Sequence, residues 1–405
     1  MTDTLAVGLD EALEITLARV ATLASETVDL HESVDRVVSA DLASLVDSPS
    51  VDASLKDGYA VLSREVAGAS PEHPVRLSLV GVMAAGGGED IPVVPGTAVR
   101  VLTGARIPRG ADAVVSEEFV TVSGGQVRVG ILAEPGRNIL ARGSDVARGK
   151  IVVETGRRLT PGTVGILAAA GHGRVPVFRN PRVAILATGD EVVAAGRPLP
   201  EGKLYASNIA TLGAWCRRYR METRMDIVRD DPDALQDALK ALARDADALV
   251  TSGGAWTGDR DMVVRILDRL GWEQAFHRIR IGPGKAVGFG RLSGKPVFIL
   301  PGGPPSNLMG FLQIALPGLL KLAGHRRPGL PVTPVRTAAD LKGRDAHWTQ
   351  FIFGMIERRP DLPVFHPLRG ASRLKSMAEA EAVAAIPEGL TLIPAGTVIP
   401  VQVLE

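Results

Sequence analysis

The sequence predicts a multidomain α/β protein: a β-rich N-terminal region with an inserted subdomain, a central three-layer α/β domain and a small all-β C-terminal domain of barrel type. Three observations carry this. From Pro181 to Gly324 apolar runs of strand length alternate with helical patterns. Before them, roughly from Val28 to Val153, short Val-rich runs are broken by Gly and Pro, and after them the Pro-rich stretch HRRPGLPVTP leads back to short strands. At 405 residues the chain exceeds what one core usually organises. The boundaries are set at residues 1–177, 178–325 and 326–405.

Apolar residues in LDEALEITLARVATL, from Leu9, recur at helical spacing and predict an opening helix. PVRLSLVGVMAAG, GTAVRVLTGARIP, ADAVVSEEFVTV and QVRVGIL read as strands with tight connections. TPGTVGILAAAG, from Thr160, reads as a short helix with Pro161 in its first turn. The alternating segment then gives strand RVAILAT, helix LYASNIATLGAWCRRY, strand METRMDIV and helix DPDALQDALKALARDA, with Asp231 as its N-cap. Strand DALVTS, helix MVVRILDRLG, strand KPVFIL and the long apolar helix PPSNLMGFLQIALPGLLKLAG complete it. Such alternation is the pattern of a largely parallel, buried sheet, whose sites collect at the carboxyl ends of its strands. GLTLIPAGTVIPVQVLE closes the C-terminal domain.

Composition narrows the function classes. With 46 basic and 45 acidic residues the net charge is +1, which argues against a nucleic-acid groove or a polybasic membrane surface and favours small-molecule chemistry. The single cysteine, Cys216, excludes a disulfide framework and a Cys-based zinc site within one chain, and packing is its commonest role. The acidic, amphipathic N-terminal stretch does not show a charged n-region followed by an apolar core, and no run of about 18 apolar residues is present to span a bilayer. A cytoplasmic location is expected.

The most informative segment is ALVTSGGAWTGDRD, Ala248 to Asp261: an apolar run, a Ser-Gly-Gly turn, then acids opening a helical pattern. A glycine turn exposes backbone N–H groups and the next helix adds partial positive charge, which suits an oxyanion. Each strand of the α/β unit ends in such a turn: TGDE at Thr188–Glu191, RDDP at Arg229–Pro232, TSGG, and PGGPPS at Pro301–Ser306. Parallel strands place all four on one rim, so Glu191, Asp230, Asp231 and Asp261 are expected to converge there. Carboxylates beside a phosphate imply a hard cation such as Mg²⁺. For Asp231 and Asp259 alone, helix capping explains the residue equally well. Lys285, in the Gly/Pro turn of IGPGKAVGFG, suits an anion, although a surface lysine is the commoner explanation. Ser306 is the hydroxyl of the PGGPPS loop, and helix initiation by Pro and Ser is its bland reading. DGYA at Asp57, Thr103 with Gly104, and Asp145 read individually as turn residues.

Taken together and in this order, these motifs resemble the MoeA family of molybdopterin molybdenumtransferases, which includes the C-terminal domain of gephyrin. The resemblance runs over nearly the whole chain, through DGYA, LTGARIPRGADAVV, Gly143 with Asp145, TGDE, TSGG with Asp261, PGK at Pro283–Lys285, and LPGGP at Leu300–Pro304. It implies a MogA-like central domain and a homodimer that inserts molybdenum from molybdate into adenylylated molybdopterin (molybdopterin-AMP), releasing AMP with the assistance of Mg²⁺. It further implies that Ser252, Gly253 and Gly254 hold phosphate, while Glu191, Asp231 and Asp261 manage the cation and the phosphoanhydride. Asp57, Thr103 and Asp145 approach from the partner subunit. Lys285, Ser306 and a serine of ASRLKS, Ser372 or Ser376, bind molybdate, and Pro301, Gly302 and Pro304 belong to the same cofactor-binding set. A molybdopterin adenylyltransferase or a recipient molybdoenzyme is the implied partner.

The chain departs from the usual family pattern at Lys56, Trp256, Gly282, Gly303 and Phe353. These departures motivate a second reading, a divergent paralogue that carries molybdopterin or its nucleotide form without transferring metal. A dinucleotide hydrolase and a structural scaffold are the further alternatives. Trp256 and Lys56 are expected together in one intersubunit cleft.

Overall fold

The computed structural model describes residues 7–87, 89–253, 262–368 and 373–404. Helix α1 (Leu9–Arg19) buries Ala12 and Thr16. Ala12 enters one core with Val183, Phe298, Leu316 and Leu319, so the opening helix packs on the central unit rather than on the β-rich residues that follow it. Gly318 makes that approach possible, because a Cβ there would press on the Phe298 ring and lie 3.2 Å from the Thr16 methyl.

The β-rich region has two parts. One is built on the antiparallel pairing of Ser25–Asp29 with Arg174–Phe178 and includes α2 (Pro161–Ala169), whose Thr160 and Thr163 form a reciprocal cap. The inserted part is a six-stranded sheet of β1 (Gly58–Val61), β2 (Val75–Met83), β3 (Thr97–Val101), β4 (Ala113–Ser116), β5 (Val120–Ser123) and β6 (Gln126–Val129), in the order β4-β1-β3-β2-β6-β5. Its two faces carry separate apolar clusters, one around Tyr59, Val61 and Val115, the other around Ala60, Val99 and Val114.

The central sheet contains β7 (Arg182–Thr188), β8 (Glu222–Val228), β9 (Ala248–Ser252), β10 (Glu273–His277), β11 (Gly288–Leu292) and β12 (Lys295–Leu300), in the order β8-β7-β9-β12-β11-β10. The first four in that order are mutually parallel. The period-two alternation of β7 divides its side chains between two layers. Val183, Ile185 and Ala187 face the core containing α1, α3 (Ser207–Arg218) and the C-terminal helices of the domain. Ala184 and Leu186 face α4 (Pro232–Asp245) and α5 (Met262–Arg269). Leu235, Leu239 and Leu242 recur at i, i+4 and i+7 on α4 and are almost fully buried. Removing one to Ala costs about 2–5 kcal/mol.

Two expectations are corrected. IGPGKAVGFG is not only a turn, because Gly288–Leu292 is a strand that runs antiparallel to β10 and β12 and makes the sheet mixed. Glycines hid it: a Cβ on Gly290 would strike the Trp272 indole, and one on Gly288 would lie 3.0 Å from the His277 ring. The long apolar helix is interrupted, with α6 (Pro304–Gly310) and α7 (Leu316–Leu322) joined by a π turn over Phe311–Ala315. Pro317 lacks the N–H that would bond the carbonyl of Gln313, and the wider turn accommodates its ring. The same turn sets the Gln313 amide against Gln402, at 2.6 and 3.1 Å, and ties the helix to the C-terminal domain.

That domain is a closed barrel of β13 (Val332–Thr337), β14 (Thr349–Glu357), β15 (Val364–Pro367), β16 (Ala382–Ile386) and β17 (Val398–Val403). The pairing runs β14-β15-β13-β17-β16 and returns to β14. Helix α8 (Arg373–Glu379) packs against α6 and β14. Among the described residues no helix is long and apolar enough to cross a membrane.

Candidate functional site

Strand order makes the site. The chain leaves β7 for β8 on one side and returns to β9 on the other, so the carboxyl ends of β7 and β9 diverge and open a crevice between Thr188 and Ser252. A cleft of about 120 Å³ occupies it, lined by Thr188, Glu191, Ser207, Asn208, Ser252, Gly253, Gly302 and Pro304. The TGDE, RDDP, TSGG and PGGPPS turns do follow four parallel strands, as expected from the alternation.

Gly253 has φ +101°, and a Cβ there would lie 2.6 Å from the Thr188 carbonyl oxygen. Its N–H donates to the Leu300 carbonyl at 3.0 Å, so the turn is fixed across β7, β9 and β12. Ser252 is buried. Its Oγ accepts from the side-chain amides of Asn208, at 3.2 Å, and Asn307, at 3.0 Å. Neither asparagine was singled out in the sequence. The available signal for Asn307 was a polar residue on the buried face of an apolar helix, where it is 1% exposed.

The acids separate into different roles. Glu191 lines the cleft, and its carboxylate folds back over Gly189, where a Cβ would lie 2.6 Å from it. Thr188 Oγ1 donates to Asp230 at 2.7 Å, and the Asp230 N–H reaches Asp190 at 3.3 Å. Asp231 caps α4, accepting from the Ala234 N–H at 2.8 Å. The capping explanation of Asp231 therefore describes its geometry. Among the described residues no three His, Cys, Asp or Glu side chains cluster as a metal site. Asp261 and Gly254 lie outside the described residues, as do Trp256 and Ser372.

A second group adjoins the first through α6. Gly284, with φ +119°, lets the PGK turn close on α6, where a Cβ would lie 3.2 Å from the Ser306 carbonyl oxygen. Lys285, on that turn, is exposed and holds its ammonium 5.9 Å from the centre of the Trp348 ring, at the start of β14. Trp348 is a further residue the sequence did not flag. The Pro301 carbonyl accepts from Asn307 at 2.9 Å, and Ser376 lies on α8, which packs against α6. Phe353 packs against the central core and places no charge there.

Asp57, just before β1, and Thr103, in the turn after β3, are paired at one end of the inserted sheet, the Thr103 amide and hydroxyl donating to Asp57 Oδ1 at 2.6 and 2.8 Å. The amide, then the hydroxyl, hold the Asp57 carboxyl below its ordinary pKa. Asp145 is exposed in a turn whose N–H donates to the Ser48 carbonyl, and Lys56 is exposed beside Asp57. Among the described residues no hydrogen bond or ion pair connects Asp57, Thr103 or Asp145 to the rim of the central sheet.

Comparison with known proteins matches both halves of this architecture. Residues 7–171 match the MoeA N-terminal region (domain I and II), and residues 184–321 match the family described as "Probable molybdopterin binding domain". The molybdopterin molybdenumtransferase of Synechococcus elongatus is 33% identical over 402 residues, covering 97% of this chain and 98% of its own. The chain belongs to the MoeA family. The Haemophilus influenzae molybdopterin molybdenumtransferase is 34% identical over 305 residues, covering 75% of this chain and 74% of its own. The crystal structure of the molybdopterin biosynthesis MoeA protein from Pyrococcus horikoshii superposes with a TM-score of 0.81 at 31% identity, over 98% of this chain and 99% of that one. Within this MoeA-family chain, α1 falls in the N-terminal match yet packs on the central unit, so sequence boundary and packing boundary differ.

Proposed function

We propose that this chain is a molybdopterin molybdenumtransferase that inserts molybdenum from molybdate into adenylylated molybdopterin and releases AMP. The observation that carries the reading is similarity along essentially the full length to a protein of that name, at 33% identity over 402 residues. The cleft at the sheet's switch point supports it independently, because a glycine turn, a buried serine and a loop rich in Gly and Pro suit a phosphate-bearing ligand.

In this reading Ser252, Gly253 and Gly254 hold the phosphates. Glu191, Asp231 and Asp261 are the carboxylates that would bind Mg²⁺; Glu191 lines the cleft, and a hard oxygen donor there suits an ion that would supply charge neutralisation between protein and phosphoanhydride. Asp231 also caps α4. Lys285, Ser306 and Ser376 or Ser372 flank the adjoining anion position, and Asp57, Thr103 and Asp145 complete the site from the second subunit of a homodimer. A cytoplasmic location and a hand-over to a recipient molybdoenzyme follow from the same reading.

The test is incubation of the purified protein with adenylylated molybdopterin, Mg²⁺ and molybdate. AMP release that requires molybdate supports the transferase. Tight pterin binding with no molybdate-dependent AMP release overturns it in favour of a carrier.

A further inference from the structure

We infer that Asn208 and Asn307 act as positioning residues that fix the direction of the Ser252 hydroxyl proton, making Ser252 an obligatory hydrogen-bond donor to an anionic oxygen in the cleft. The inference rests on the ligand class proposed above, a phosphate-bearing pterin, and assigns which polarity the protein offers it.

Each amide has its orientation fixed by a backbone carbonyl. Asn208 Nδ2 donates to the Gly302 carbonyl at 2.8 Å, and Asn307 Nδ2 donates to the Pro301 carbonyl at 2.9 Å. A carbonyl only accepts, so nitrogen rather than oxygen faces it in both cases. The second proton of each NH₂ then points to Ser252 Oγ, at 3.2 and 3.0 Å. A serine hydroxyl has two acceptor positions and one proton. Both acceptor positions are filled, so the proton must leave along the remaining direction, and no acceptor among the described residues takes it. Ser252 and Gly302 both line the cleft, so the two amides also tie the TSGG turn to the PGGPPS turn.

The chemical consequence is selective. A serine free to rotate serves donors and acceptors alike, whereas this one rejects a ligand donor and favours an acceptor-only oxygen such as a phosphate ester. Hydrogen bonds to charged partners are the stronger class, and an aligned donor gains most from such a partner.

The test uses the full-length protein and molybdopterin as the probe, with affinity followed by calorimetry between about pH 3.5 and 8, a range that spans the ordinary carboxyl pKa near 4. Asn208→Asp is the informative variant, since a carboxylate at this position accepts from Ser252 and draws the proton out of the cleft. Expected is a loss of about 10-fold or more in affinity at pH 8, shrinking relative to the native protein as the new carboxyl protonates and can donate again. Ser252→Ala is expected to weaken binding by about the same factor, and because the new carboxylate also repels an anionic ligand directly, adding Asn208→Asp to Ser252→Ala is expected to cause a smaller further loss than Asn208→Asp causes with Ser252 in place. A pH-independent loss in Asn208→Asp, or an equal loss in the Ser252→Ala background, overturns the inference and leaves Asn208 a structural residue. Failure of the native protein to bind molybdopterin refutes the proposed function instead, so the two failures are distinguishable. Asn208→Gln provides a second variant, retaining the NH₂ donor on a longer arm, and is expected to show no pH-dependent component.

Discussion

Replacing Gly253 by alanine probes the turn on which the phosphate cradle depends. At φ +101° an L-residue is strained, at a cost of about 1–2 kcal/mol. The new methyl would also lie 2.6 Å from the Thr188 carbonyl oxygen, a backbone atom held in the ladder between β7 and β8, so it cannot swing aside. Overpacking of this kind adds about 1–3 kcal/mol. The sum, roughly 2–5 kcal/mol, must be met by deforming the turn, by destabilising the domain, or by both. A 3 kcal/mol loss lowers Tm by about 6–12 °C in a domain of this size. Gly302→Ala is the control: a Cβ there would lie 3.8 Å from Gly253 Cα, an ordinary contact, and a Tm near native is expected. The assay is thermal unfolding of the full chain followed by circular dichroism, with molybdopterin affinity measured on the same samples. Gly253→Ala with native Tm and native affinity would refute the claim that the turn is both strained and required.

Three further outcomes are expected. Asp247 is opposed by burial, yet the Arg179 side chain, at 2.7 and 2.8 Å, and the Arg182 N–H, at 2.8 Å, hold its carboxyl below the ordinary value. Its contribution is complete above the unfolded carboxyl pKa near 4 and is lost as pH falls through the lower folded value. Asp247→Ala should therefore cost about 1–3 kcal/mol at pH 7 by urea unfolding, with the difference from native shrinking only below about pH 4. Burial, assisted by the Arg158 charge, pushes His325 down to about 4, so the folded state prefers the neutral ring. Native stability should fall as pH drops from about 6.5 toward 4, and His325→Gln should flatten that part of the profile. Trp348→Leu removes the aromatic face beside Lys285 and should raise the KM for molybdate about 2- to 5-fold, while Trp348→Phe, which keeps an aromatic face, should stay near the native KM; a native KM in Trp348→Leu would remove Trp348 from the account.

The parallel strands and their helices were legible because they are periodic. Val183, Ile185 and Ala187 alternate with Ala184 and Leu186, and Leu235, Leu239 and Leu242 share one helical face. The rim followed from strand direction, and with it the meeting of Glu191, Ser252, Gly253 and Gly302. What escaped the sequence depended on tertiary neighbours. Gly288 and Gly290 read as turn residues because the Trp272 and His277 rings that require them lie on other segments. The π turn at Phe311–Ala315 answers to Pro317 and to Gln402, far along the chain. The asparagine pair on Ser252 spans 44 and 55 residues of sequence, a separation no local pattern encodes. Asp231 is a helix cap by its Oδ1 contact with the Ala234 N–H, which leaves its other carboxylate oxygen for a cation, so the local sequence pattern served both readings.

The central claim, that metal enters the pterin on this chain with loss of the nucleotide, is tested most directly by a single-turnover measurement with protein in excess over adenylylated molybdopterin. Molybdenum retained with the pterin, read by metal analysis after gel filtration, and AMP, read by chromatography, are followed together after molybdate is added. One AMP released for each molybdenum incorporated, with neither seen when molybdate is withheld, is the predicted result. AMP release at the same rate without molybdate, or a bound adenylylated pterin that releases no AMP when molybdate is present, contradicts it.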